Sequence, residues 1–224
     1  MRTYESLTAA LAFGALVASQ YALAQKQPEQ LNVNAQLIAA ARGGSEPAVR
    51  ALLDQGANPN SRNRLGDTPL NTAARTGNVA MAKTLLAHGA DANQPNLSGV
   101  TPLMGAAYAG NAEIVRLLLA AKADPKPVDR VRKPAIVYAA GEGKTEALLV
   151  LLDAGADVNQ RYDNDLTLLM WAAGMGHDDT VKALLARGAD AKLKDNRGKT
   201  ALMIAAEGEH TRTVKVMRDA GVGE

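Results

Sequence analysis

The chain contains no cysteine, which excludes disulfide staples, thiolate metal sites, a cysteine nucleophile and a lipid-modified N-terminal cysteine. Aromatics make up only 3% of the residues, with one Trp and one Phe, so the core must be built from Leu, Ala, Val and Met. Neither charge sign dominates: the formal net charge is +2 over 224 residues, with acids and bases interleaved. The counterion release that drives nucleic-acid binding has little to act on, and nucleic acid is not expected as a partner. The longest apolar run, Leu7 to Ala18, falls short of the ~20 residues a membrane span needs. With 47% apolar residues, the chain is also poor material for disorder and long enough for a sizeable core.

The apolar run itself has a reading. Arg2 precedes it, and Ala22-Leu23-Ala24 follows as a small-x-small cleavage site, the order found in a secretory signal. Glu5 offsets Arg2, so the terminal amine supplies the positive start. The expected organisation is a signal peptide over 1–24 cut between Ala24 and Gln25, a linker over 25–33, and a folded domain over 34–224. That places the protein in a periplasm or outside the cell.

The rest of the chain repeats. Alanine pairs stand at 40/41, 73/74, 106/107, 139/140, 172/173 and 205/206, a period of 33 residues. Four residues after each first alanine come Gly44, Gly77, Gly110, Gly143 and Gly176, with Glu209 in the last unit. Leucine pairs at 52/53, 85/86, 118/119, 151/152 and 184/185 keep the same phase. Self-similarity of this length is the signature of a stacked repeat architecture.

In the unit over 66–93, Thr68 is placed to cap a short helix with Pro69 at its first turn. A second helix is expected from about Asn78 to His88, followed by Gly89 in the left-handed conformation and a hairpin-like finger. The paired alanines let the two helices approach closely. The stretches "GDTPLNTAARTGN…LLAHGADAN" and "GVTPLMGAAYAGNAEIVRLLLAAKAD" resemble ankyrin repeats, with their T-P-L-x-x-A-A, Gly and G-A-D-x-N landmarks. The resemblance covers about residues 30–224 as six repeats, near 34–60, 61–93, 94–126, 127–159, 160–192 and 193–224. It implies an all-α, slightly curved, right-handed solenoid with a concave face of fingers and inner helices. It also implies a monomeric, non-catalytic module that binds other proteins. At the ends, Ala35-Gln36-Leu37 replaces Thr-Pro-Leu, and Arg218 stands where other units have a leucine expected to be buried, as capping repeats require a polar outer side.

Departures from the repeat's own rule mark candidate sites. Just before the fourth unit Lys122 replaces a left-handed glycine, and the unit itself has Pro134 for the capping threonine and a finger Asp129-Arg130-Val131-Arg132-Lys133 with Arg132 at the glycine tip. The first two each cost about 1 kcal/mol, which reads either as drift in a tolerant array or as a basic finger suited to an acidic partner. The fifth finger, Tyr162-Asp163-Asn164-Asp165, is acidic; its three oxygen donors fall short of the six to eight that calcium prefers.

All four aromatics beyond the signal, Tyr108, Tyr138, Tyr162 and Trp171, fall in repeats three to five. Tyr138 and Trp171 are equivalent positions, sharing helix faces with Gly141 and Met175. They either fill the groove between inner helices or serve as anchors for a partner, as Trp and Tyr commonly do. Tyr108 is expected to be exposed. No metalloprotease, serine-hydrolase or phosphate-loop motif is present, and His88, His177 and His210 lie in different repeats. The expected function is therefore binding of another protein through the concave face of repeats three to five, without catalysis, metal or cofactor. The candidate residues are Tyr108, Arg130, Lys133, Tyr138, Tyr162, Asp163, Asn164, Trp171 and Met175. Other readings are an effector that binds a host protein, a periplasmic small-ligand or metal binder, and a glycosylated secreted protein carrying the sequon Asn96-Leu97-Ser98.

Overall fold

The computed structural model describes residues 32–223, and the expected signal peptide lies outside them. The described residues form twelve α-helices and no strand. They are α1 over 32–42, α2 Glu46–Asp54, α3 Pro69–Thr76, α4 Val79–Ala87, α5 Pro102–Ala109 and α6 Ala112–Ala120. Then come α7 Ala135–Gly141, α8 Thr145–Asp153, α9 Leu168–Gly174, α10 Asp178–Ala186, α11 Ala201–Glu207 and α12 Thr211–Asp219. Odd-numbered helices form one layer, α3 against α5, α5 against α7, α7 against α9 and α9 against α11; the even-numbered helices form a second layer outside it. Helix α1 already includes residues 32 and 33, inside the expected linker, because Val33 packs on the core.

Four inner helices, α3, α5, α9 and α11, start where a capping threonine stands. Thr68, Thr101, Thr167 and Thr200 accept the backbone N–H of Asn71, Met104, Met170 and Met203. Pro134 supplies no such bond to α7. The central inner helices α3, α5, α7 and α9 are largely buried; Leu70, Leu103, Leu168 and the alanine pairs from Ala73 to Ala173 are sealed from solvent. The outer helices bury one face only, with Met81 and Leu85, Ile114 and Leu118, or Val181 and Leu184 turned inward. Of the leucine pairs, the second member is buried at Leu53 and Leu152 but only half-buried at Leu86, Leu119 and Leu185. Arg218 thus replaces an edge residue rather than a core one, and is exposed.

The fingers are loops, each closed by a backbone bond from one N–H to the carbonyl four residues on: Asn63 to Asp67, Asn96 to Val100, Asp129 to Lys133, Tyr162 to Leu166 and Asp195 to Lys199. Side chains at the first of these positions brace four of the five. Asn63, Asn96, Asp129 and Asp195 each accept two backbone N–H groups of their own finger. The fifth has Tyr162 there, and its tip turns through a 3-10 segment, Asp163–Asp165, with Asn164 and Asp165 at φ 61° and 59°. Arg132 at φ 61° and Lys122 at φ 62° hold left-handed positions that glycine fills in neighbouring units, as does Glu209 at φ 59°.

Neighbouring pairs are stitched by polar side chains in register. Asn78 and Asn111 cap α4 and α6 and donate to Gly44 and Gly77 carbonyls; His177 and His210 reach the carbonyls of Gly141 and Gly174 at 2.9 and 3.0 Å. Lys144, in that register before α8, makes no cap bond. Asn60, Asn93 and Asn159 bridge successive loops in the same manner, whereas Lys126 holds that position in the third unit.

Candidate functional site

The inner helices carry a two-position code along their open face. One position reads Thr72, Gly105, Tyr138, Trp171, Ile204; the other, three residues on, reads Arg75, Tyr108, Gly141, Gly174, Glu207. A large residue at the first position of one pair rests on the second position of the pair before it. Trp171 lies beside Gly141, whose added Cβ would stand 3.6 Å from Cε3 of the indole; at Gly174 a Cβ would come within 2.9 Å of Ile204 Cγ2. Tyr138 meets Tyr108 edge to face, with centroids 5.9 Å apart and planes at 77°. Glycine at the second position leaves room for the large side chain of the next pair. Trp171 is half-buried against the core, while Tyr108 remains 51% exposed and Met175, at the end of α9, 54% exposed. The indole N–H of Trp171 is buried and reaches no protein acceptor, a cost of about 1–3 kcal/mol.

The basic finger lies over this aromatic row. Lys133 places its ammonium 4.3 Å from the centroid of the Trp171 ring and 5.9 Å from that of Tyr138. A cation over an indole face contributes about 0.5–2 kcal/mol, more as it is desolvated. The finger is held there by Asp129, which is only 8% exposed. Its Oδ1 accepts the N–H groups of Val131 and Lys133, each at 3.0 Å, and its Oδ2 accepts the Tyr138 hydroxyl. Burial, and then the Asp129 carboxylate, push the Tyr138 phenol well above its ordinary range. Asp129 is thus the residue that joins finger to helix. It was detectable in the sequence, because Asn63, Asn96 and Asp195 keep its 33-residue register.

The fifth finger completes the site. Arg132 Nε donates to Asp163 Oδ1 at 2.8 Å, tying the basic finger to the acidic one. Other finger junctions carry a backbone bond instead, Leu97 to Leu65, Arg130 to Ser98 and Asn196 to Asn164. Tyr162 is half-buried against the core, and burial followed by Asp157 pushes its phenol up to about 12. A cleft of about 170 Å³ opens between the two fingers, walled by Arg132, Lys133, Tyr162, Asn164 and Trp171. The structure therefore gathers seven of the nine expected residues around this cleft and the adjoining aromatic row, while Met175 stands exposed at the end of α9. Arg130 is exposed, its backbone N–H bonded to the Ser98 carbonyl.

Several other readings meet the geometry. Asn96 donates its amide nitrogen to Asp67 Oδ1 at 2.8 Å, so the sequon's acceptor nitrogen is already engaged within the fingers. His177 and His210 serve as inter-pair stitches rather than as bases, and His88 Nε2 faces Asp54 at 3.2 Å on the outer layer. Among the described residues, no three His, Asp or Glu side chains converge as a metal site, and none of their helices is long and apolar enough to cross a membrane.

Stacked helix pairs, alanine contacts within each pair and fingers in register define a helical repeat solenoid, a class of scaffold built to present an extended face. The family model described as ankyrin repeats (3 copies) matches residues 37–129 and 136–223, and the chain belongs to the ankyrin repeat family. Among solved structures it is similar to the human ASB11 ankyrin repeat domain, at 29% identity and a TM-score of 0.75 over 84% of each chain. It is also similar to EF0377, an ankyrin repeat protein, at 30% identity and a TM-score of 0.73, covering 83% of this chain and 97% of that one. No curated protein matches the sequence significantly. Ankyrin repeats are in general non-catalytic modules for protein–protein interaction.

Proposed function

We propose that this chain is an exported protein of six ankyrin repeats that binds a partner protein through the fingers and inner helices of repeats three to five, without performing a reaction. One observation carries the choice of face. Among the described residues the large apolar side chains left exposed are Leu65, Leu97, Tyr108, Val128, Val131, Met175 and Met203. Every one belongs to an inner helix, the end of one, or a finger loop, and none to an outer helix. Exposed apolar surface gathered on one face of a soluble domain is what an interaction site requires. Tyr108 and Met175 act as accessible anchors, Trp171 and Tyr138 as the half-buried support beneath them, and Arg130, Lys133, Asp163 and Asn164 set orientation.

Export rests on the N-terminal run and the small-x-small site at Ala22 to Ala24. Mass determination of the protein recovered from a periplasmic fraction tests it: a chain starting at Gln25 is expected, and an uncleaved chain in the cytoplasm contradicts it. Affinity capture from the same fraction tests the face. Partners retained by the wild type and lost with Trp171→Ala plus Tyr138→Ala support it; partners that all survive the double change, with the variant folded by circular dichroism, refute it.

A further inference from the structure

Resting on that reading, we infer that the partner presents an acidic segment, one of whose carboxylates takes the Lys133 ammonium from the Trp171 ring. The first argument is a carboxylate missing from the repeat's own pattern. Lys133 and Lys199 occupy equivalent positions, 66 residues apart. Lys199 pairs with Glu207 of the following inner helix at 2.5 Å. The position equivalent to Glu207 in the fourth unit is Gly141, so Lys133 has no such acid and lies on the two aromatic rings. Asp129, the acid in its own finger, is buried and engaged by Val131, Lys133 and Tyr138. Asp163 across the cleft is taken by Arg132. The site is thus complete except for one negative charge, on a face open to solvent.

The second argument is what the stretch from residue 122 to 144, at the junction of the third and fourth units, gave up. Positions that hold glycine in most units are Lys122 and Arg132, and the register of Asn78, Asn111, His177 and His210 holds Lys144. The register of Asn60, Asn93 and Asn159 holds Lys126. Each change removes a structural convenience, and each puts in a base. Arg130, exposed beside Val131, adds a further guanidinium to the same finger. A basic finger flanked by exposed Val131, Val128 and Leu97 fits an acidic stretch that also carries apolar side chains.

The test uses the chain from Gln25 to Glu224 immobilised against a random twelve-residue peptide library. Recovered peptides are then titrated in solution while the emission of Trp171, the only tryptophan, is followed. The expected result is enrichment of Asp and Glu among recovered peptides. Replacing the preferred acid by its amide should weaken binding at least tenfold to the wild type and less than threefold to Lys133→Gln, whose circular dichroism should match the wild type. Trp171 emission should move on binding to the wild type, as the cation leaves the ring. Peptides without acidic preference, or an acid-to-amide loss equally large in Lys133→Gln, overturn the inference. Binding of such uncharged peptides that is abolished by Trp171→Ala with Tyr138→Ala would leave the aromatic-face reading standing while this inference falls. Peptides indifferent to that double change would remove both. A response of Trp171 to phosphatidylserine vesicles or a single-stranded oligonucleotide, with none to acidic peptides, also overturns it.

Discussion

Glycine restored at residue 122 should stabilise the protein, although glycine within folded elements ordinarily does the reverse. Lys122 sits at φ 62°, where Gly56, Gly89, Gly155, Gly188 and Gly221 stand in the other units at φ 80° to 99°. A non-glycine residue pays about 1–2 kcal/mol there, because its Cβ crowds the following carbonyl. Replacing it by glycine returns that amount but gives the unfolded chain more freedom, worth about 0.4–1 kcal/mol. The net gain is about 0.5–1 kcal/mol, or roughly 1–4 °C in Tm for a domain of this size. The side chain is exposed, and the Lys122 carbonyl that accepts from Asn93 is kept. Glu209→Gly, at φ 59° in a separate unit, should add a similar increment independently. Ala121→Gly is the control: φ there is −81° at the end of α6, so the substitution should lower stability by about 0.5–1 kcal/mol. Thermal melts of the three variants decide the matter. If Lys122→Gly and Ala121→Gly shift Tm in the same direction, the conformational reasoning about residue 122 is wrong.

Pro134→Thr should give α7 the cap that Thr101 and Thr167 give their helices, raising stability by about 1 kcal/mol in a denaturant titration. Asp129→Ala removes an acceptor for two backbone N–H groups and the Tyr138 hydroxyl; a loss of about 2–3 kcal/mol is expected, with hydrogen exchange accelerated across 129–133. The pH profile should have two limbs. Burial raises the pKa of Asp195, but the Lys199 N–H and the Arg197 guanidinium outweigh it and hold the carboxyl low; the Thr84 hydroxyl and then Arg50 do the same for Glu46. Their folded values lie below the unfolded ones, so their stabilisation is complete above the ordinary carboxylate range and fades as pH falls through the folded values. Asp195→Asn should flatten that acid limb in melts run between pH 2 and 5, a window set by an ordinary Asp value of about 3.9. For His88 the sign reverses. The Thr84 carbonyl, then Asp54, raise its pKa, so its stabilisation is full below about pH 6.5 and is lost as pH rises through the higher folded value. His88→Gln should remove that small slope.

The fold was legible because a repeat states its own rule many times over. Thr68, Thr101, Thr167 and Thr200 cap, the alanine pairs pack and Gly77 turns, all in one register, so a departure such as Pro134 was visible before any coordinates. The candidate site was legible in part. Tyr138 and Trp171 announced themselves by position, but what each ring meets is the residue three places along in the preceding unit, Gly141 for Trp171 and Tyr108 for Tyr138. Tyr162 was placed on a finger, but its bracing position there and its half-buried ring were not foreseen. Lys133 over Trp171 joins residues 38 apart, a contact set by finger curvature, which no periodicity reports.

Site-specific photocrosslinking in periplasmic extract tests the account's central claim most directly, with the reactive side chain placed at Tyr108 or Met175 on the proposed face and at Arg116 or Glu146 on outer helices. All four positions are exposed, so the comparison is one of face and not of access. The account predicts a discrete protein adduct from Tyr108 and Met175 and none from Arg116 or Glu146. Adducts confined to Arg116 and Glu146 would contradict it.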